Sequence, residues 1–321
     1  MILELSNVSV TYQRVDKSRV TAVDDVSLTL NRGEILGLVG ESGCGKSTLG
    51  RAAVGILPVA QGTVSFNGGK VKAMARGARA VNLRQLQLVF QDPFSSLNPR
   101  RKVGEQLSDG LINLGKGREE AQEKSAQLLE KVGLSRSALT KFPHEFSGGQ
   151  RQRIAIARAL VVEPLAIVAD EPISALDASA QAQVANLLVE LVRETQMGMI
   201  FISHDLSVIR QISDRTAVMY LGKIIEVGAT NEIWNNPAHP YTRALINAIP
   251  LADGSGIIPS ELVGDVPDPR FPPPGCRFHP RCPVAIDMCK TQKPALISVQ
   301  SKSRRQVSCH LQKENSPISV L

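Results

Sequence analysis

The strongest constraint on the fold of this chain is the segment GESGCGKST at residues 40–48, which fits the phosphate-binding pattern G-x-x-x-x-G-K-[ST]. Gly40 and Gly45 permit a tight backbone turn whose amides point inward at a bound polyphosphate. Lys46 can reach the β- and γ-phosphates, and the hydroxyl of Ser47 can ligate Mg²⁺. The segment therefore predicts a nucleotide-binding loop.

The sequence around this loop has the strand and the helix that the loop requires. The apolar segment EILGLVG at 34–40 predicts a buried strand, and we expect a helix from Lys46 to about Ile56. The positive N-terminal end of that helix would face the phosphates. Strand and helix patterns alternate through residues 34–57 and 160–228, which predicts a parallel α/β core. A Gly-rich turn without a ligand would not need these flanking elements.

Two carboxylates follow a second apolar strand, in the segment IVADE at 167–171. Asp170 at the tip of the strand suits a Mg²⁺ ligand, held directly or through water. Glu171 is one residue further, so it points elsewhere and can orient a water in line with the γ-phosphate. The alternative is an ordinary strand end with two solvated acids, which the phosphate-binding loop upstream disfavours.

The segment FSGGQ at 146–150 predicts a second anion site. Ser147 can cap a helix expected from Gly148 to about Val162, and Gly148 and Gly149 expose the amides of its first turn. A simply capped helix is the alternative interpretation, and this segment alone does not decide between the two.

In their order along the chain, at 40–48, 146–150 and 167–171, the three motifs resemble those of the ATPase subunits of ABC transporters, and the resemblance covers nearly the whole chain. The ATP-binding residues that it implies are Tyr12, Gly40, Glu41, Ser42, Gly43, Cys44, Gly45, Lys46, Ser47, Thr48, Ser147, Gly148, Gly149, Gln150 and Asp177. The Mg²⁺ ligands that it implies are Ser47, Gln91 and Asp170. The catalytic residues that it implies are Glu171, His204, Lys46 and Gln91.

The resemblance assigns a role to each remaining family motif. Tyr12 would stack on adenine, and Gln91, in VFQDPFSSLNPR, would contact Mg²⁺ and link to the membrane subunits. The segment SALD, from Ser174 to Asp177, would cross the ATPase dimer, and His204 would contact the γ-phosphate. A lone histidine at a strand end is more often structural, so the value of His204 comes from its position among the other motifs.

Two residues depart from the family pattern. Phe146 replaces the usual leucine of the signature, and Ile173 replaces a common threonine. Neither change removes a group that contacts phosphate, so we expect an active ATPase.

The predicted fold class is α/β, with an ABC-type P-loop ATPase core, an antiparallel β subdomain, a helical signature subdomain and a small Cys-containing C-terminal extension. The ATPase domain is predicted at 1–250, with its helical subdomain at about 92–160, and a Pro-rich linker and cysteine-containing extension at 251–321. Short strands are expected in 1–35 and 61–75.

Within the antiparallel subdomain, the N-terminal segment MILELSNVSVTY alternates in the manner of an edge strand. NGG at 67–69 predicts a turn. The same N-terminal segment lacks a charged region followed by an apolar one, so we do not expect a signal peptide.

Composition limits the other classes of function. The 321 residues are 43% hydrophobic and show no apolar run of membrane-spanning length. The net charge of +7 is diffuse, which is compatible with a position near an anionic membrane but is weak evidence for nucleic-acid binding. With five cysteines in a chain that has the features of a cytosolic protein, a disulfide framework is not expected.

The C-terminal segment resembles the extension of the oligopeptide and dipeptide importer ATPases. The resemblance rests on HPYT at 239–242, a Pro-rich stretch and the pattern C-x-F-x-P-R-C-P that begins at Cys276. It implies a peripheral ATPase on the cytoplasmic face of the membrane, paired with a second, paralogous ATPase subunit. It also implies two transmembrane permease subunits and an extracytoplasmic substrate-binding protein.

Cys276, Cys282, Cys289 and Cys309 form the pattern C-x₅-C-x₆-C-x₁₉-C. Four thiolates suit a [4Fe–4S] cluster or zinc, and the absence of C-x₂-C pairs favours the cluster, as does the resemblance. Four unligated thiols are the alternative. Because little apolar sequence surrounds them, we expect a metal centre to stabilise the extension.

The motifs together predict an ATP-hydrolysing subunit that energises peptide import. The same motor could instead carry nickel chelates or glutathione-type compounds. A soluble ABC protein that acts on nucleic acid or ribosomes would usually carry two cassettes or a long inserted coiled coil, and this chain has neither. A third hypothesis is a redox or metal sensor in which the cysteine segment is the functional part.

Overall fold

A computed structural model of the protein describes residues 1–13, 19–74, 79–92, 96–174, 176–249, 264–299 and 304–314. Its strands are, in chain order, β1 (Leu3–Gln13), β2 (Arg19–Leu30), β3 (Ile35–Val39), β4 (Gln61–Phe66), β5 (Gly69–Lys70), β6 (Leu86–Val89), β7 (Ala166–Asp170), β8 (Gly198–Ile202), β9 (Arg215–Tyr220), β10 (Lys223–Ala229), β11 (Ile297–Ser298) and β12 (Gln306–Val307).

The α-helices of the described residues are, in chain order, α1 (Lys46–Ala53), α2 (Val103–Ile112), α3 (Arg118–Lys131), α4 (Gly148–Leu160), α5 (Ala178–Thr195), α6 (Leu206–Ile212), α7 (Thr230–Asn235), α8 (Pro240–Asn247) and α9 (Asp287–Thr291). Short 3₁₀ turns lie at Val81–Leu83, Arg136–Thr140, Pro143–Glu145 and His279–Arg281.

The first sheet is antiparallel, in the order β2-β1-β4-β5. Leu3 of β1 pairs with Leu30 on one side and with Phe66 on the other, so the prediction of an N-terminal edge strand is wrong. Alternation of apolar and polar residues along a strand indicates that one face of the sheet is exposed. Whether the strand lies at the edge depends on which other segments of the chain pair with it. Asn67 and Gly68 join β4 to β5 with positive φ angles of 46° and 78°, as expected for the predicted NGG turn.

The second sheet has the order β11-β12-β10-β9-β3-β8-β7-β6. The strands from β9 to β6 are parallel, as predicted for the α/β core. β10 is antiparallel to β9, so the prediction of a parallel core as far as residue 228 is wrong at this strand. The reason is the connection: only Leu221 and Gly222 separate the two strands, and two residues suffice for a hairpin but not for a parallel crossover.

Apolar side chains cover both faces of this second sheet. On one face, α1 packs Leu49 and Ala52 between the two sheets. On the other face, α5 packs Val184 and Leu188, as the apolar spacing of its sequence requires. α1 ends at Ala53, earlier than the predicted Ile56, and the left-handed residue Gly55 follows it. The core therefore fixes the carboxyl ends of the parallel strands, where the predicted site residues lie.

The helical subdomain has a small core of its own, formed by α2, α3 and α4 with the 3₁₀ turns between them. Phe146 is buried in it, which explains why a larger side chain than leucine is accommodated in the signature. α4 ends at Leu160, close to the predicted Val162.

The C-terminal extension is attached to the ATPase core. β12 pairs with β10 and β11, so two short strands of the extension continue the core sheet. Phe278 is buried among Tyr220, Tyr241 and His239, with ring centroids 5.3 to 5.7 Å from its own. The expectation that the extension lacks apolar residues to stabilise it is therefore wrong. The predicted domain boundary at residues 250–251 and the first half of the predicted linker at 252–275 lie outside the described residues.

Candidate active site

The phosphate-binding loop has the backbone geometry that its glycines were predicted to provide. Gly40 and Gly45 adopt φ angles of 152° and 108°. A Cβ atom would lie 2.2 Å from the carbonyl oxygen of Met219 at the first position and 2.3 Å from that of Ala22 at the second. Both distances are impossible for real atoms, so any side chain at either position would force the loop apart.

Lys46, the first residue of α1, lies almost completely buried inside the loop. Its Nζ donates hydrogen bonds to the carbonyl oxygens of Gly40 at 2.7 Å and Glu41 at 2.9 Å. These contacts hold the ammonium at the concave side of the loop, at the positive end of the helix. An ammonium in this position can bind the phosphate oxygens of a nucleotide.

Ser47 and Asp170, the predicted Mg²⁺ ligands, contact each other directly. The Ser47 Oγ donates to Asp170 Oδ1 at 2.8 Å. Asp170 is only 1% exposed, and its Oδ2 has no hydrogen-bond partner within the described part of the chain. Burial raises the pKa of Asp170, and the bond from Ser47 opposes that shift. A buried, unpartnered carboxylate oxygen beside a hydroxyl fits a hard cation such as Mg²⁺, which would supply its charge at this point.

Three predicted catalytic residues meet at the carboxyl ends of neighbouring parallel strands. Gln91 follows β6, Glu171 follows β7 and His204 follows β8. Gln91 Nε2 donates to Glu171 Oε2 at 2.9 Å, and Nδ1 of His204 lies 3.3 Å from the same oxygen. Glu171 has a φ of 46°, which is uncommon for a residue with a side chain. The backbone therefore changes direction after Asp170 and turns the two acids apart, as predicted.

The signature residues lie around a cavity of their own. The Ser147 Oγ accepts from the backbone N–H of Gln150 at 3.3 Å, and Gln150 Oε1 accepts from that of Ser147 at 3.1 Å. This reciprocal capping box starts α4. A cavity of about 430 Å³ is lined by Gly133, Leu134, Ser147, Gly149, Gln150, Arg153, Leu176, Asp177 and Ala180. Its lining contains predicted nucleotide contacts but no residue of the phosphate-binding loop.

The remaining predicted nucleotide contacts lie at the edges of these two regions. Tyr12 is partly exposed, and its hydroxyl lies 3.2 Å from Oγ1 of Thr48 in the first turn of α1. Asp177 caps α5, where its Oδ1 accepts from the N–H of Ala180 at 2.9 Å. Gly148 has open space around it, so the first amides of α4 are accessible. Ala175, in the predicted SALD segment, lies outside the described residues, as do residues 93–95 of the segment after Gln91.

Comparison with known proteins identifies the chain. Residues 23–174 match the family described as ABC transporter, and residues 225–289 match the oligopeptide/dipeptide transporter C-terminal region. The di/tripeptide transport ATP-binding protein DppF of Pseudomonas aeruginosa is 45% identical over 295 residues, which are 91% of this chain and 90% of that protein. The oligopeptide transport ATP-binding protein AppF of Bacillus subtilis is 48% identical over 298 residues, with the same coverage. The chain belongs to the ABC transporter family.

Solved structures confirm the fold of this ABC ATPase. A dimeric ATP-binding cassette, MJ0796, bound to ADP and Pi, superposes with a TM-score of 0.64 at 27% identity, over 71% of this chain and 99% of its own. The cassette cbiO1 from Clostridium perfringens, part of the cbiONQ transporter complex, gives 0.62 at 28% identity, over 73% and 90%. The predicted α/β fold class and the ABC ATPase family are therefore confirmed.

In this ABC ATPase, Cys44 is a small packing residue of the loop. It is buried, its Sγ lies 3.8 Å from Lys46 Nζ, and burial raises the pKa of its thiol. The exposed Ser42 and the left-handed Gly43 complete the loop.

The sequence reasoning missed two residues of this region, Tyr241 and Arg281, which both contact Glu41 in the phosphate-binding loop. They lie in the HPYT and C-x-F-x-P-R-C-P segments, which marked the peptide-importer group. No spacing along the sequence links either segment to the loop.

The four C-terminal cysteines were predicted to ligate a cluster. Among the described residues, no three His, Cys, Asp or Glu side chains are grouped so that they could hold a metal ion, which does not support the cluster or zinc. The pKa of Cys309 is raised to about 11, chiefly by burial and to a smaller extent by the charges of Cys276, Cys282 and Cys289.

The two histidines beside these cysteines contact backbone carbonyl oxygens. His279 Nδ1 lies 2.9 Å from the carbonyl oxygen of Cys276, and His310 Nε2 lies 2.9 Å from that of Gln292.

Proposed function

We propose that this ABC ATPase energises the import of di- and oligopeptides across the cytoplasmic membrane. The observation that carries the proposal is the match of residues 225–289 to the oligopeptide/dipeptide transporter C-terminal region. The names of relatives that are 45% and 48% identical over nine-tenths of the chain, a di/tripeptide and an oligopeptide transport ATP-binding protein, support it.

We infer that hydrolysis depends on Glu171, which orients the attacking water. In the structure, Gln91 and His204 both contact the oxygen of Glu171 that would serve this purpose. With ATP bound, His204 and Gln91 would turn to the γ-phosphate and its Mg²⁺, which would leave Glu171 Oε2 to accept from water. Lys46 would neutralise charge on the phosphates, and Tyr12 would stack on the adenine.

We propose that two ATPase subunits enclose each ATP between the phosphate-binding loop of one and the signature of the other. The cavity lined by Ser147, Gly149, Gln150 and Asp177 lacks any contribution from the subunit's own loop, which supports a shared site. Gly148 and its neighbours would present amides at a helix N-terminus to the γ-phosphate. The dimeric state of the related cassette MJ0796 points the same way.

We further propose that the partner ATPase is a paralogous subunit and that the pair works with two transmembrane permeases and an extracytoplasmic substrate-binding protein. No helix of the described residues is long and apolar enough to cross a membrane. By its likeness to peptide-importer subunits, we propose that the chain sits peripherally on the cytoplasmic face, in contact with the permeases near Gln91. The division into an ATPase domain at 1–250 and an extension at 251–321 belongs to the same proposal.

We also propose that Cys276, Cys282, Cys289 and Cys309 hold a [4Fe–4S] cluster with a structural or docking role. The charges of Cys276, Cys282 and Cys289 all contribute to the raised pKa of Cys309, which supports a position of the four residues in one region of the extension. A cluster of four irons separates its cysteine sulfurs more widely than a single zinc ion does.

Uptake in a deletion strain tests the peptide assignment. Cells that depend on short peptides should lose uptake of a labelled dipeptide when this chain is deleted, and regain it with the intact chain but not with the Lys46→Ala variant. Normal dipeptide uptake together with lost uptake of a nickel chelate would contradict the peptide assignment while leaving the ATPase assignment intact.

A further inference from the structure

The phosphate-binding loop is held from outside by two residues of the C-terminal half, and both contacts fall on Glu41. Arg281 Nη1 lies 2.8 Å from Glu41 Oε2, and its Nη2 lies 3.0 Å from Oε1, so the guanidinium binds the carboxylate at both oxygens. The backbone N–H of Glu41 donates to the hydroxyl of Tyr241 at 2.9 Å.

These contacts lie in a partly buried setting where they have more effect than at the surface. The Arg281 side chain is 4% exposed and that of Glu41 is 21% exposed. Bidentate, charge-assisted pairs of this kind are about twice as strong as neutral hydrogen bonds, and they fix orientation as well as distance. Tyr241 is fully buried, so water does not compete for the hydrogen bond between its hydroxyl and the amide of Glu41.

Glu41, the loop residue that these contacts hold, also positions the phosphate-binding Lys46. The carbonyl oxygen of Glu41 accepts a hydrogen bond from Lys46 Nζ at 2.9 Å. Glu41 is therefore fixed at its amide by Tyr241 and at its side chain by Arg281, while its carbonyl holds the ammonium. Any shift of Arg281 or Tyr241 would be passed to Lys46 through a single residue.

The extension sets the position of Arg281 through rigid packing. Arg281 ends the 3₁₀ turn that follows Phe278, and Phe278 is buried edge-on against Tyr220 and Tyr241, with centroids 5.3 Å away in each case. The Arg281 guanidinium lies over the Tyr220 ring, 6.0 Å from its centroid. Aromatic contacts of this geometry resist reorientation because the interior is close-packed.

We propose that Arg281 and Tyr241 are positioning residues of the nucleotide site, and that the C-terminal extension sets the affinity for ATP through Arg281. The inference rests on the proposed role of residues 40–48 as the ATP site. It predicts that loss of the Glu41 contact weakens ATP binding without slowing the chemical step, since the contacts of Arg281 and Tyr241 given above fall on Glu41 and on aromatic rings, and Glu171 is not among them.

The test is a mutant cycle in the assembled transporter, with KM for ATP and kcat measured for each variant. Arg281→Met and Glu41→Gln should each raise KM roughly tenfold, with kcat within about twofold of wild type. The double variant should be no worse than either single one, because both remove the same contact. Arg281→Lys keeps the charge but cannot bind both carboxylate oxygens at once, so its KM should lie between those of wild type and Arg281→Met.

A second set of variants separates this role from a general effect on folding or on the cysteines. Tyr241→Phe removes only the acceptor for the Glu41 amide and should raise KM by a smaller factor. Lys290→Met, which removes an exposed pair with Asp287 in the same extension, should leave KM unchanged. Glu41 lies in the loop, so an effect shared by Glu41→Gln and Arg281→Met cannot arise from disturbed cysteines.

Three outcomes would overturn the inference: a KM for Arg281→Met within twofold of wild type, additive effects in the double variant, or an equal rise in Lys290→Met. If Arg281→Met does not fold, Tyr241→Phe and Glu41→Gln still decide. Lys46→Ala is the reference for the site itself. If it binds ATP as tightly as wild type, the proposed ATP site is wrong, which is a different failure from that of the positioning role.

Discussion

Gln91 Nε2 donates a hydrogen bond of 2.9 Å to Oε2 of Glu171, across a sequence separation of 80 residues. The same oxygen lies 3.3 Å from Nδ1 of His204. An oxygen that already has two partners is poorly placed to accept a hydrogen bond from a water. Hydrolysis would therefore require both partners to move, and bound nucleotide offers them new contacts.

Replacing Glu171 by glutamine should abolish hydrolysis while ATP binding remains. The amide keeps the size of the side chain but cannot accept a proton from water, and loss of a general base costs roughly 10²- to 10⁴-fold in rate. Steady-state ATPase assays of the assembled complex would measure the loss, and filter binding would measure the retained affinity. The same substitution at Glu194, an exposed partner of Lys131, is the control and should change neither quantity. A near-normal rate for Glu171→Gln would rule out its assigned role.

Asp170→Asn should separate stability from function. Burial raises the pKa of Asp170 in the folded protein, so folding favours its protonated form. Its contribution to stability is present below the unfolded value of 3.8 and is lost as pH rises through the higher folded pKa. Without a cation, the ionised carboxylate that forms above the folded pKa is therefore destabilising.

It follows that Asp170→Asn should raise the Tm of the Mg²⁺-free protein at pH 7. It should also raise the Mg²⁺ concentration for half-maximal activity at least tenfold, roughly the effect of losing one charged ligand. Differential scanning fluorimetry at pH 4 and pH 7 would measure the first effect, which should shrink at the lower pH. A lower Tm at pH 7 with unchanged Mg²⁺ dependence would contradict both parts.

The shared ATP site predicts that Ser147→Arg acts on assembly. An arginine at this position would project into the cavity that is proposed to receive the nucleotide of the partner subunit. The isolated chain should hydrolyse ATP slowly with or without the substitution. The wild-type chain should gain activity when the partner ATPase and permeases are added, and the variant should not.

Ser137→Arg, at an exposed position of the same subdomain, is the matched control and should behave as wild type. Full activity of an isolated chain that size-exclusion chromatography shows to be monomeric would exclude the shared site.

Arg305 and Glu226 form an ion pair that is completely buried where the extension meets the core. Glu226 also accepts from the backbone N–H groups of Ala238 and His239, at 3.0 Å each. Arg305→Met leaves this carboxylate buried without its cation, which should cost about 3–5 kcal/mol of unfolding free energy. The double variant Arg305→Met/Glu226→Gln removes the charge as well and should lose less.

Denaturant unfolding would measure both values for the Arg305–Glu226 pair. Lys131→Met, which breaks an exposed pair, should cost less than about 1 kcal/mol and serves as control. Equal losses of unfolding free energy for Lys131→Met and Arg305→Met would show that the buried pair stabilises the fold no more than the exposed pair does.

Sequence patterns predicted the active-site half of this protein well, because that half depends on local rules. The strand before Gly40, the turn at Asn67 and the cap at Ser147 each follow from residues a few positions apart. The edge position assigned to β1 and the parallel direction assigned to β10 were wrong, since strand neighbours are chosen by distant segments.

The same limit applied to the extension. Contacts such as Arg281 with Glu41 and Arg305 with Glu226 join residues 240 and 79 positions apart. Neither contact leaves a periodic signal, and the partners are ordinary charged residues when read in isolation. Tertiary packing alone brings them together, so they could be found only in the structure.

The proposed cluster makes a direct chemical prediction. Protein purified without oxygen should be brown and contain about four irons per chain, the content of a cubane cluster. Cys282→Ser should lower the iron content because one thiolate ligand is lost, and Cys44→Ser, in the phosphate-binding loop, is the control that should leave it unchanged. Since Phe278 and the Arg305–Glu226 pair also hold the extension, Cys282→Ser should loosen it without releasing it, as limited proteolysis would show. Colourless protein with one zinc per chain would replace the cluster with a structural zinc site, and metal-free protein would leave four free thiols, buried or half-buried.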